Sequence, residues 1–163
     1  MDAETSNTAA PGTAQPSDPL ELIHLADGVQ SVSVRLTSTT PVLEGVDGLK
    51  YYDAVAVVTS DFANGTVHLG CGSEEIADWG RLVDAVEEFV DDPDSDPDEP
   101  YAADWPPSGN SAYLRFFAED PYVVEVRDGS GTGVVVSVPL DLPDGWTTDA
   151  RRRLASARAA LGE

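Results

Sequence analysis

Cysteine is nearly absent from this 163-residue chain. Cys71 alone excludes an internal disulfide framework, and a single free thiol suits a reducing compartment. Cations are scarce as well: nine Lys and Arg, only one of them a lysine, face 30 Asp and Glu, leaving a formal charge of -21. Such a balance repels nucleic-acid phosphates and anionic bilayers, so neither is expected as a partner. No apolar run approaches the ~20 residues that span a bilayer. The N-terminal segment has neither the basic nor the apolar region of a signal peptide, which places the chain in the cytoplasm as an expectation. Two histidines and one cysteine are too few for a transition-metal centre. The glycine run Asp128 to Gly133 sits between two strand patterns, where a phosphate-cradling loop would need a helix to follow. No cofactor is expected.

What is present is enough for a core. Hydrophobic residues make up 41% of the chain, and the length suits one domain. Residues 1–19 are Ala, Thr, Ser, Pro and Asp without apolar period and read as a disordered tail; residues 20–161 read as a single domain. Leu20, Leu22 and His24 alternate with Glu21, Ile23 and Leu25, and after the turn signal Asp27-Gly28, Val32, Val34 and Leu36 alternate again, predicting a hairpin. Tyr51 to Thr59 is almost continuously apolar, the pattern of a central strand covered on both faces. Asn64-Gly65 then turns the chain into the alternating segment Thr66 to Gly72.

Ser73 offers a helix N-cap, with Glu74 and Glu75 at the positive end of the dipole. Ile76, Trp79, Leu82, Val83, Val86, Phe89 and Val90 then recur at helical spacing, until Asp92-Pro93 stops the helix. Residues 91–109 read as an Asp/Pro-rich loop. Strands are predicted again at Ala112 to Glu119, Tyr122 to Arg127 and Val134 to Val138, and a last helix capped by Thr147 or Thr148. The expected fold is α+β: an antiparallel sheet of about seven strands with two helices packed on one face.

Few residues could carry chemistry. His68 and Cys71 resemble a base and its thiol nucleophile, but three residues apart on a strand they point to opposite faces. Asp92, Asp94, Asp96 and Asp98 imitate the opening of a calcium loop, yet the positions that should hold its Gly and bidentate Glu hold Pro97 and Ala103, or Glu99 and Trp105. The acid itself is the stronger signal. From Glu74 to Asp104 there are 13 acidic residues and one base, Arg81. Glu87, Glu88, Asp91 and Asp92 crowd a helix C-terminus, where the dipole favours cations by about 0.3–1 kcal/mol apiece, and Asp84 with Glu88 is a like-charge i, i+4 pair.

A sequence that breaks local rules this often can do so for a partner. The expected function is therefore non-enzymatic: Glu87, Glu88, Asp91, Asp92, Asp94, Asp96, Asp98 and Glu99 engage a basic protein, with Tyr101 and Trp105 as apolar anchors. Acidity for solubility alone is the competing reading. Two further readings stay open: a carboxylate-dependent hydrolase with no acid or base yet named, and a DNA-mimicking inhibitor whose carboxylates stand in for duplex phosphates.

Three segments carry a resemblance: Leu22-Ile23-His24-Leu25-Ala26-Asp27, the run Asp53 to Ser60 with Phe62 and Asn64-Gly65, and the ending Val138-Pro139-Leu140-Asp141 through Gly145-Trp146. They look like an uncharacterised family of small actinobacterial proteins over about residues 20–161. The resemblance implies a cytoplasmic protein of a Streptomyces-like organism and brings no activity, cofactor or catalytic residue. More loosely, the order of sheet and helices is similar to immunity proteins of polymorphic toxin systems, which suggests neutralisation of a cationic toxin as one form of the binding role.

Overall fold

The computed structural model describes residues 19–96, 98–107, 112–129 and 131–163. The tail expected over residues 1–19 lies, but for its last residue, outside them.

Asp27 accepts the backbone N–H groups of Val29 and Gln30, each at 2.9 Å, and Gly28 takes φ +91. That Asx turn folds β1 (Leu20–Ala26) onto β2 (Ser31–Leu36). β3 (Leu43–Glu44), β4 (Lys50–Thr59) and β5 (Asn64–Gly72) complete a five-stranded sheet. Every pairing is antiparallel, and β4 is bonded to β2, β3 and β5.

Two readings of these strands change. The strict alternation expected in β1 breaks at a bulge: Glu21 faces Arg35, the next pair is Ile23 with Val34, and Leu22 is the extra residue. Leu22, Ile23 and Leu25 are consequently all buried. In β4 only one face is fully covered. Tyr52, Ala54, Ala56 and Val58 are buried, while Asp53 is exposed and Val55 and Val57 are half-buried. Valine is favoured on a half-buried pleated surface, so the apolar run does not require a second covering layer.

Helix α1 (Ser73–Asp91) buries Ile76, Trp79, Leu82, Val83 and Val86. The stripe fades at its end, where Phe89 is half-buried and Val90 exposed. The N-cap is Gly72 rather than Ser73: Glu75, one turn in, reaches back and accepts the Gly72 N–H at 2.6 Å.

β6 (Ala102–Trp105), β7 (Ala112–Phe117), β8 (Tyr122–Asp128) and β9 (Val135–Leu140) form a second antiparallel sheet in chain order. There are thus two sheets of five and four strands, not one of about seven. The 19-residue helix separates the two sets in sequence, and they meet where β5 lies against β7 and β2 against β9, without sharing a ladder. Alternation marks which side chains face inward but not which strand supplies the hydrogen bonds. β6 also cuts into the segment 91–109 expected to be loop throughout.

Helix α2 (Trp146–Leu161) starts one residue before Thr147 and two before Thr148, the expected caps. Its N-cap is Gly145 at φ +80, a left-handed conformation that glycine adopts without steric cost. The helices pack on each other, α2 along β1 and α1 against β5 and β6. At their contact a Cβ on Gly80 would meet Leu154 Cδ2 at 2.9 Å, so the missing side chain sets how closely they approach. One apolar core joins both sheets and both helices. Within it Trp79 meets Trp105 edge-on at 6.2 Å, and Phe116 stacks on Trp146 at 5.6 Å.

Candidate functional site: an acidic cleft at the end of the first helix

The fold sorts the acidic run into two sets. The first is neutralised from within. Arg81 pairs with Asp78. Arg151, on α2, donates to Asp84 at 2.8 Å and to Glu87 at 2.6 Å, and the Thr147 hydroxyl donates to Glu87 at 2.8 Å. These bonds, the arginine's first, hold the Glu87 carboxyl below its ordinary value and push the Arg151 guanidinium above its own. Asp104 receives a two-pronged bond from Arg115 at 2.6 and 2.8 Å, the planar geometry that makes arginine–carboxylate pairs specific.

The second set has no cation among the described residues. Glu88, Asp91, Asp92, Asp94, Asp98 and Glu99 are exposed, and no basic residue stands in the last turn of α1. Asp92 and Asp96 do structural work of another kind, accepting the N–H groups of Asp94 and Asp98 at 2.9 Å and shaping two successive turns. The arginines are largely engaged elsewhere: Arg35 and Arg153 with Glu21, Arg127 with Glu125, Arg152 and Arg153 with Asp149.

Beside this ridge lies a cleft of about 360 Å³ between the end of α1 and the segment joining β9 to α2. Five carboxylates line it: Glu87 and Asp91 from α1, Asp120 from the β7–β8 turn, and Asp141 and Asp144 from the β9–α2 connection. Of these only Glu87 has a cationic partner among the described residues. The apolar side of the cleft is Tyr122 and Trp146, whose rings meet edge-on at 5.6 Å with Phe116 packed against both. The α2 cap explains why the acids converge. Gly145 turns the chain so that Trp146 N–H reaches Pro143 O at 3.1 Å, and Asp27 accepts the Asp141 N–H at 3.4 Å. The N–H groups of Gln30, Val29 and Asp141, Gln30's first, hold the Asp27 carboxyl below its ordinary value.

Of the ten residues singled out in the sequence, Glu87 and Asp91 line this cleft, and Glu88, Asp92, Asp94, Asp96, Asp98 and Glu99 form the exposed ridge leading from it. Tyr101 is half-buried, its ring 6.1 Å from Phe89. Trp105 is a correction. It is 1% exposed, and its indole N–H donates to Glu75 O at 2.6 Å, so it belongs to the core and cannot anchor a partner. Asp120, Asp141 and Asp144 escaped notice because they lie outside the acidic run: Asp120 precedes Pro121 and Asp144 sits between Pro143 and Gly145, where turn chemistry is explanation enough, and Asp141 stands between two leucines.

The other candidates resolve structurally. Cys71 is buried and His68 exposed, on opposite faces of β5, and burial, with Glu75 and Glu163 contributing, pushes the Cys71 thiol up to about 12. A thiol so shifted is a poor nucleophile. No Asp or Glu among the described residues is buried, so a carboxylate acid–base pair draws no support from the cleft. No group of three or more His, Cys, Asp or Glu among the described residues is arranged to hold a metal ion, and no helix among them is long and apolar enough to cross a membrane.

No curated protein and no solved structure matches the chain. Residues 20–162 match the model of the family of unknown function DUF5959. The chain belongs to that family.

Proposed function

We propose that this family member is a protein-binding domain whose acidic ridge and cleft receive a basic protein partner, with a toxin-neutralising immunity role as its most concrete form. The observation that carries the reading is the division of the acids. Neighbouring carboxylates on one helix are paired by Arg151, while Glu88, Asp91 and the following aspartates have no cation among the described residues and stand beside an open cleft. Uncompensated charge at a helix C-terminus costs stability, and a cationic partner would turn that cost into steering and complementarity. A lysine or arginine of the partner entering the cleft would meet Asp91, Asp120, Asp141 and Asp144 together with the Tyr122 and Trp146 rings, a combination suited to a cation near aromatic surface. The exposed ridge would act mainly on the association rate.

The test is affinity capture from the source organism at low and moderate salt, comparing wild type with two variants. One carries Asp92, Asp94, Asp96 and Asp98 changed to Asn; the other carries Asp91, Asp120, Asp141 and Asp144 changed to Asn. The expected result is a basic protein held by wild type, released by added salt, and lost from the cleft variant. Equal recovery by all three baits would return the acidity to a solubilising role.

A further inference from the structure

A second cleft, of about 310 Å³, opens on another part of the surface, between the β4–β5 hairpin of the first sheet and the β8–β9 hairpin of the second. Its walls are the ends of the two inward faces. Ala56 and Val58 on one side and Val126 on the other are buried, while Val134 and Val136, on the same wall as Val126, are 54% and 36% exposed. The core thus runs out to the surface here as a slot, and its size is that of sites that take small molecules. The slot shape matters. An alkyl chain or a single aromatic ring lying in it would meet the exposed Val134 and Val136 side chains and the half-buried Val67.

Charge decides which small molecule. Among the described residues no Lys, Arg or His lines the cleft, and Asp128 is the one ionisable side chain in its lining. That carboxylate accepts the Thr132 N–H and hydroxyl at 3.1 and 3.0 Å, so it is fixed in place at the rim. Asp61 stands in the β4–β5 turn, and the chain's charge of -21 sets the surrounding potential against anions.

We propose that this cleft binds the apolar group of a small organic cation, with the charge left at the rim near Asp128. The inference rests on the second cleft alone and stands whether or not the acidic ridge binds a protein.

The test is titration of the full chain with hexyltrimethylammonium, hexanoate and hexanol, followed by backbone amide chemical shifts. Saturable shifts at Val58, Val67, Val126 and Val136 are expected with the cation, weaker ones with the alcohol, and none with the carboxylate. Val134→Lys, at an exposed position that leaves the fold intact, should weaken the cation roughly fivefold and admit hexanoate. Val136→Trp should block the cleft and abolish binding of the cation and the alcohol. Absence of saturable shifts, equal binding of hexanoate, undiminished binding by Val136→Trp, or shifts confined to Asp91, Asp120 and Tyr122 would each overturn the proposal.

Discussion

Glu87 and Glu88 are adjacent in sequence and identical in chemistry, yet the fold treats them oppositely. Glu87 faces α2, where Arg151 and Thr147 donate to it. Glu88 lies exposed one residue further round the helix, with no cation among the described residues and with Asp84 four residues behind it. The same contrast extends outward: Asp78, Asp84 and Asp104 are paired, whereas Asp91, Asp94 and Asp98 have no cation among the described residues. An acidic composition is therefore not one property. Part of it ties the helices and strands together, and part of it stands exposed at the surface.

The largest effect should come from the residue that looked like part of the second set and belongs with the core. Trp105→Ala should destabilise the fold by about 3–5 kcal/mol, as loss of a large buried aromatic does, measured by chemical denaturation. A near-neutral result would restore Trp105 to the surface and blur the boundary between the two regions. Arg151→Ala comes next. It leaves Asp84 and Glu87 facing α2 unneutralised, and should lower the thermal midpoint by a few degrees, whereas Arg158→Ala, which removes no ion pair among the described residues, should change it little.

Acid sharpens the same division. Asp27, Glu87 and Asp149 all have carboxyl values below the ordinary ones, held there by the Gln30 and Val29 N–H groups, by Arg151 and Thr147, and by Arg153 respectively. A lowered folded-state value means stabilisation that is present above the unfolded value of about 4 and is lost as the pH falls through the folded one. The thermal midpoint should accordingly drop as the pH is taken below about 4, and Glu87→Gln should flatten part of that drop. An unchanged acid profile in the variant would mean that the Arg151 pair contributes nothing measurable.

These contrasts show what was legible in the chain. The stripe from Ile76 to Val86 announced α1 because helical period is a local signal, and the alternation of Leu114 and Phe116 with Tyr113 and Arg115 announced β7 in the same way. The acidic end of α1 was legible as a violation of the dipole rule. β6 was not, because Ala102 to Trp105 has no period of its own. What makes it a strand is its ladder with β7 and the Arg115 bond to Asp104, both supplied from nine or more residues away. The bulge at Leu22 was hidden for a similar reason, since only pairing with β2 reveals an extra residue. The division into two sheets, and the meeting of Asp91, Asp120, Asp141 and Asp144 around one cleft, depend on tertiary closure that no local pattern encodes.

The smallest expected effect is also the most direct test of the division, because it asks two neighbours to move in opposite directions. Thermal midpoints of Glu87→Gln and Glu88→Gln should be measured side by side at low and at high salt. Glu87→Gln should lower the midpoint, since it removes the charge that pairs with Arg151 and leaves one acceptor oxygen for Arg151 and Thr147. Glu88→Gln should raise it at low salt, by the equivalent of about 0.3–1 kcal/mol, and the gain should shrink as salt screens the repulsion it relieves. Changes of the same sign in both variants at low salt would contradict the claim that this helix carries one set of acids paired within the fold and another left exposed at its surface.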